Sequence, residues 1–307
     1  MRMCMTKKSI LKHNKTPTKQ KQQKTIKNKA KKSSRITKCV TIAILVRDKE
    51  PVLYEFLTCI LNLEYDKQLI NLYIRTNDNT DNSCNILETF ISTYGHLYNT
   101  ICYNNDSINK KIKKYKVHEW NSVRFKLLGK LRQESINYSV GTWYFVIDCD
   151  NFIAPFTLRR LIQLNMCAVA PMLLSETSYS NFHENENDAE YYKPTSNYSK
   201  ILNRTVCGVF EVDVIHCTYL LHPTTVGKMA STRAYDDQSG NYEFLIFAKT
   251  MRNHNIPMHI DNRYDYGIVP EWTSVRDKHN GVKKCDKLLN CDYFKKFFKL
   301  YLPSAAI

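Results

Sequence analysis

From residue 40 the chain alternates between short, continuous apolar runs and longer segments whose apolar residues recur every three or four positions. Val40 to Val46 is apolar except for Thr41 and is followed by Arg47-Asp48-Lys49-Glu50-Pro51, the pattern of a buried strand running into a loop and a helix start. Leu53, Phe56, Leu57, Ile60 and Leu61 then fall at helical spacing. Ile70 to Arg75 predicts a second strand, Asn77 to Asn82 a polar loop, Ile86 to Tyr94 a second helix and Ile101 to Tyr103 a third strand. Asn104 to Lys116 reads as a surface loop. Ser122 to Tyr138, with Phe125, Leu128, Leu131 and Ile136, predicts a helix leading into the strand that ends at Asp148. Strand and helix alternating in this way build a mostly parallel sheet with helices on both faces, an α/β fold. Ligands of such sheets bind beyond the carboxyl ends of the strands, where Arg47, Asn77, Asp78, Asp148 and Asp150 fall.

Past Ile153 the rhythm changes. A short helix is predicted over Phe156 to Leu164, a strand over Ala168 to Leu173, a long polar span over Ser175 to Arg204, and a strand or hairpin over Cys207 to Leu221. Asn241 to Arg252 predicts a helix, and His259 to Val269 returns to strand-like alternation. Lys283 to Leu302 is a lysine-rich helical segment whose Phe294, Phe297, Phe298 and Tyr301 form either a face docked on the body or a self-association patch that would make an oligomer. The expected domains are a tail over 1–38, a catalytic domain over 39–275 and a helical extension over 276–307.

Composition alters this picture at one end only. The 307 residues, 43% of them hydrophobic, suffice for a substantial core, and the net charge of +16 raises nucleic acid as a partner. Residues 1–38 hold 14 of the 45 Lys and Arg and no acidic residue, so 31 basic residues face 29 acidic ones in the rest of the chain. The body is nearly neutral. The tail's scattered apolar residues cannot offset the entropy of ordering, which predicts a disordered, solubilising leader, with binding to nucleic acid or another anionic surface as the alternative. No apolar leader and no run of about 18 apolar residues is present, so the sequence predicts a chain without a membrane span and a cytoplasmic location. The 11 cysteines show no Cys-x-x-Cys pair and no zinc-ligand spacing.

The segment Trp143-Tyr144-Phe145-Val146-Ile147-Asp148-Cys149-Asp150-Asn151-Phe152-Ile153 concentrates the candidate chemistry. Residues two apart on an extended segment project to the same side, so both carboxylates can face one site, and hard oxygen ligands suit Mn2+ or Mg2+. An Asp-x-Asp triplet alone is weak evidence. Further blocks surround it: Ile42-Ala43-Ile44-Leu45 with Arg47 and Lys49; Asp81-Asn82; Trp120 with Ser122, Arg124 and Phe125; Lys130-Leu131-Arg132-Gln133; Val169 to Leu173; Tyr179-Ser180-Asn181-Phe182; and Tyr266-Gly267. In this order and spacing, from about Thr41 to Pro270, they resemble the procollagen galactosyltransferases, specifically the first of the two glycosyltransferase domains those proteins carry.

The resemblance implies a GT-A-like nucleotide-diphospho-sugar transferase fold and a hexose, galactose or glucose, moved from a UDP-sugar with Mn2+ to hydroxylysine or galactosylhydroxylysine of collagen-like chains. It implies that Asp150 binds the metal directly, that Asp148 contacts ribose or metal through water, and that Asn77 and Asp78 meet uracil and ribose. Arg47, Arg124 and Lys130 become candidates for the phosphates or the acidic loops. Asp236, Asp237 and Glu243 are candidate bases, with Glu243 preferred because the apolar run after it matches the family's. Asp265 stands where the family has a histidine and is a candidate third metal ligand. The chain departs from the family in lacking the second domain and the luminal targeting sequence, in carrying Tyr242-Glu243 for an acidic pair, and in carrying Tyr264-Asp265 for Glu-His. The family works in the endoplasmic reticulum lumen, against the cytoplasmic expectation. A catalytically inactive homologue that binds collagen or another partner is the rival reading. His216 reads as a core histidine, and Trp120, Tyr179 and Phe182 as packing or stacking aromatics.

Overall fold

The computed structural model describes residues 38–107, 115, 121–175, 178–184, 195–269 and 292–301. The expectations for the tail over 1–37, for Trp120, for most of the loop after Asn104, for the middle of the polar span and for residues 270–291 lie outside the described residues.

The elements run β1 (Val40–Val46), α1 (Glu50–Leu61), β2 (Ile70–Thr76), α2 (Ser83–Tyr94), β3 (Thr100–Asn105), α3 (Ser122–Tyr138), β4 (Trp143–Ile147), β5 (Phe152–Ile153), α4 (Thr157–Leu164), β6 (Ala168–Pro171) and β7 (Phe182–His183). They continue as α5 (Ser196–Leu202), β8 (Val209–Val212), β9 (Val214–Ile215), β10 (Thr218–Leu221), α6 (Pro223–Ala230), α7 (Glu243–Asn253), β11 (Met258–Asp261), β12 (Gly267–Ile268) and a C-terminal helix, Asp292–Tyr301. Eight strands form the main sheet in the order β3-β2-β1-β4-β10-β6-β11-β8. β3, β2, β1 and β4 are mutually parallel, β10 runs antiparallel to both its neighbours, β6 and β11 are parallel, and β8 is antiparallel to β11. The fold is therefore α/β with a mostly parallel central sheet, as the alternation predicts.

Both faces of that sheet are covered, which explains why its strands read as continuous apolar runs. Val40, Ile42, Ile44, Trp143, Phe145 and Ile147 face one core with α1, α2, α4 and the C-terminal helix. Ala43, Tyr144 and Val146 face the other, with Ile136, Val226, Tyr235, Phe247 and Met251. Gly129 lets α3 seat against the chain near Tyr235: a Cβ there would meet the Tyr235 carbonyl at 2.4 Å. Phe294 and Phe298 pack edge-on against Phe152, with centroids 5.2 and 5.4 Å away, so the aromatic face of the C-terminal helix docks on the body. Among the described residues no helix is long and apolar enough to cross a membrane.

Two expectations need correction. Cys207 to Leu221 is neither one strand nor one hairpin: β8 lies at the sheet edge, β9 pairs with β7, and β10 inserts between β4 and β6. α2 begins at Ser83, a turn before the first apolar residue of its stripe, because Ser83 is fully buried as an acceptor for the Lys49 amide.

Candidate active site

β4 delivers its carboxylates at the middle of the sheet. All five of its residues are buried, and at its end the Asp148 amide donates to the Cys217 carbonyl at 2.9 Å, while the Asn151 amide closes a turn onto the Asp148 carbonyl at 2.9 Å. Cys217 holds a left-handed φ of 60°, an uncommon conformation for a residue with a side chain and one that recurs at functional sites. The neighbouring His216 is buried, as a core histidine; it stacks on His183, 3.1 Å between their Nε2 atoms, and its Nδ1 lies 2.9 Å from the Cys217 sulfur. Burial pulls His183 down to about 4 and His216 well below its ordinary value, so the pair is neutral. Tyr179 reaches the Cys217 sulfur with its hydroxyl, and Phe182 is core, against Tyr198.

Each carboxylate of the pair meets a cation. Arg132, from the buried face of α3, forms an ion pair with Asp148, and the Lys49 ammonium reaches Asp150 at 2.5 Å. Burial pushes the Asp148 carboxyl above its ordinary value while the Arg132 guanidinium pulls it down. Burial likewise opposes the charge on Lys49, but the attraction and hydrogen bond of Asp150, with Cys149 and Asp148, together outweigh it and raise the ammonium. One guanidinium nitrogen of Arg132, Nη1, is buried with no hydrogen-bond partner.

The β1–α1 and β2–α2 loops are stitched to each other. The Asp48 amide donates to the Asn79 side chain at 2.8 Å and the Thr80 amide to the Asp48 carboxylate at 2.6 Å. The Glu50 amide donates to Asp81 at 2.9 Å, and the Asn82 amide returns a bond to Glu50 at 3.1 Å. Asp48 and Asp78 both hold φ near 50°, and Asp78 accepts from Ser107 at 2.7 Å. The lattice fixes Arg47 beside Asp48, 3.6 Å apart, and presents Asn77 and Asp78 one strand further out.

Arg124 is set on the first turn of α3, whose amides Asn121 caps. Burial and then the repulsion of Arg47 lower Arg124 to about 10, and it feels Asp48 and Glu243 as well. Glu243, the first residue of α7, lies in the field of Arg132, Asp148 and Arg124, and burial raises its carboxyl to about 7. Asp148, Asp150, Arg47, Arg124 and Glu243 are thus brought into one electrostatic neighbourhood.

The other sequence candidates have local partners of their own. Lys130 lies on the exposed face of α3, 3.9 Å from Glu134. Asp236 and Asp237 accept from the amides of Gln238 and Ser239, each closing its own turn at 2.9 Å. Asp265 pairs with Arg204, just ahead of β12, whose Gly267 and Ile268 pair with Ile153 and Phe152. No group of three or more metal-binding side chains forms among the described residues. Conversely, Arg132 and Lys49 carried no role in the sequence reading. For Arg132 a signal existed: it shares a helical face with Gly129, Ser135 and Ile136, and an arginine on a buried face needs a carboxylate.

The comparisons with known proteins bear on this site. The model of "Glycosyltransferase family 25, N-terminal domain" matches residues 37–291. The chain belongs to glycosyltransferase family 25. It is 30% identical over 244 residues to a "Glycosyltransferase 25 family member" of Aedes aegypti and 30% identical over 246 residues to "Procollagen galactosyltransferase 2" of Homo sapiens, covering 75% of this chain and 40% and 38% of those proteins. It is also 29% identical to the "Inactive glycosyltransferase 25 family member 3" of Mus musculus, over 79% of this chain and 43% of that one. The family 25 chain therefore spans about two fifths of the length of these relatives. Among solved structures, S. aureus TarS 1-349 in complex with UDP-GlcNAc aligns at TM-score 0.50 and 10% identity over 85% of this chain and 65% of that one, a likeness of fold: the GT-A nucleotide-sugar transferase arrangement.

Proposed function

We propose that this family 25 chain is a metal-dependent glycosyltransferase that moves a hexose from a UDP-sugar to hydroxylysine, or to galactosylhydroxylysine, in collagen-like polypeptides. The observation that carries the reading is the pair Asp148 and Asp150 at the end of the central strand β4, with Arg47, Arg124, Arg132 and Lys49 around it and Glu243 in the same field. Two hard oxygen donors without a third protein ligand among the described residues fit a cation that completes its shell with substrate phosphates and water.

Asp150 would hold Mn2+ or Mg2+ directly and Asp148 through water or by way of the ribose. The bound ion supplies Lewis-acid neutralisation of the departing diphosphate. Arg47 and Arg124 add fixed positive charge on the phosphate side, where charge develops as the sugar leaves. Asn77 and Asp78 meet the nucleoside. Glu243, raised to about 7, is ionised in a useful fraction at neutral pH and takes the proton of the acceptor hydroxyl as that oxygen bonds to the anomeric carbon. This gives inversion, the outcome for a β-galactosyl product from an α-linked donor; galactose is the hexose favoured by the name of the human relative.

The test is purified protein with Mn2+, each common UDP-hexose, and a hydroxylysine peptide with or without galactose, read by peptide mass beside Asp150→Ala. A hexose gain that the variant loses supports the transferase and identifies donor and acceptor. No gain and no UDP release would favour a binding protein without catalysis, the reading that the similarity to the mouse protein named inactive keeps open.

A further inference from the structure

The two carboxylates are kept by cations of different build. Arg132 projects from the middle of α3 with 7% of its side chain exposed, a planar fork that cannot swing without repacking the helix. Lys49 is rooted through its backbone: its amide donates to the fully buried Ser83 hydroxyl at 2.9 Å and its carbonyl accepts from Val52 at 3.0 Å. Beyond that root lies a flexible four-carbon stem ending in a compact charge. The stem lays the ammonium on Asp150, and 14% of each side chain remains open to solvent, enough for the pair to part.

We propose that Lys49 is a mobile counter-ion that occupies Asp150 in the nucleotide-free protein and yields it to a divalent cation when a nucleoside diphosphate enters. The inference rests on the metal and diphosphate reading above. The Lys49 ammonium holds one Asp150 oxygen, Oδ2, and its charge opposes a dication at the other, so a cation arriving alone must bind against Lys49 or push it aside, in a site that already holds Arg47 and Arg124. A cation arriving with a diphosphate brings new anionic oxygens for the displaced ammonium. Lys49 therefore makes cation binding conditional on the nucleotide, while Arg132 keeps Asp148 in place throughout.

The two ligands give the test opposite signs. Mn2+ binding is followed by loss of the free-ion paramagnetic resonance signal, without nucleotide, and UDP binding by calorimetry in saturating Mn2+, for the wild type, Lys49→Met, Lys49→Gln, Lys49→Arg and Asp150→Ala. Both neutral variants should bind Mn2+ alone more tightly, by about tenfold, within the usual range of coupling between sites, and should bind UDP more weakly. Lys49→Arg, which keeps the charge, should stay near the wild type, and Asp150→Ala should lose Mn2+ with or without UDP. Neutral variants with unchanged Mn2+ affinity, or with both affinities lowered in parallel, overturn the proposal. A wild type that binds neither Mn2+ nor UDP, even together, overturns the donor-site reading and this inference with it.

Discussion

In the parallel half of the sheet, Asp148 and Asp150 each meet a cation at ion-pair distance, whereas Glu243, on the helix that packs on the mixed half, meets none within that distance among the described residues. The contrast follows from how the two halves are built. Parallel strands end together, so β1, β2 and β4 bring three loops to one edge, and α3 beside them brings Arg132. The mixed half reaches the same place through a turn and a helix start, which bury a carboxylate without pairing it. Burial raises Glu243 to about 7, so that carboxyl can change state near neutrality. The first arrangement suits holding a cation and the second suits moving a proton.

The most direct way to break the contrast is to remove the paired side. Asp150→Ala should lower metal-dependent transfer by at least about a thousandfold, measured as hexose incorporated per minute, with the fold intact by circular dichroism. Glu243→Gln should cost about a hundred- to ten-thousandfold in kcat and should also abolish the acidic limb of the pH–rate profile, which in the wild type falls below about pH 7 as the carboxylate gains its proton. The stability effect has the opposite sense. Because the folded value of Glu243 is raised above the ordinary 4.5 to about 7, its contribution is complete below pH 4.5 and is lost as pH rises through 7. Thermal melts of Glu243→Gln against pH should be flatter across that window.

Arg132→Met tests whether the pairing itself is structural. It leaves Asp148 uncompensated and should destabilise by about 2 kcal/mol, less than a fully buried pair because a third of the Asp148 side chain remains in water. Adding Asp148→Asn should restore part of that loss, read by urea denaturation. Asn79→Ala, which removes the acceptor for the Asp48 amide, should cost about 1 kcal/mol and raise KM for the donor more than it lowers kcat. Lys130→Ala should change stability by less than about 0.5 kcal/mol and activity not at all, since its ion pair with Glu134 is exposed. A large effect there would mean that the site extends across the outer face of α3.

What was legible in the sequence tracks the same division. Val40–Val46, Ile70–Thr76 and Trp143–Ile147 announce themselves because strands buried on both faces are apolar throughout, and α3 matches its expected bounds. The segment 207–221 hides three short strands with four different neighbours, because nothing local encodes which partners a strand of two to four residues will join. α5 and α6 were missed for a similar reason: they are seven and eight residues long, with few apolar positions to set a period. Among site residues, the Asp148 and Asp150 pair was visible from its spacing on a strand. Lys49 and Arg132 were visible only as members of sequence blocks, since their partners lie 101 and 16 residues away. Asp265 drew attention by its neighbours in sequence, whereas its ion pair with Arg204, 61 residues away, had no local signal.

The stitching of residues 48–50 to residues 79–83 has a practical consequence for anyone who would re-engineer this protein. Each loop supplies the other's missing donors and acceptors, so neither is a module in its own right. Transplanting only one of them from a relative, in the hope of changing which nucleotide is accepted, would carry over half of a lock. The heritable unit is the pair, two stretches some thirty residues apart in the chain that have to be exchanged together or left alone.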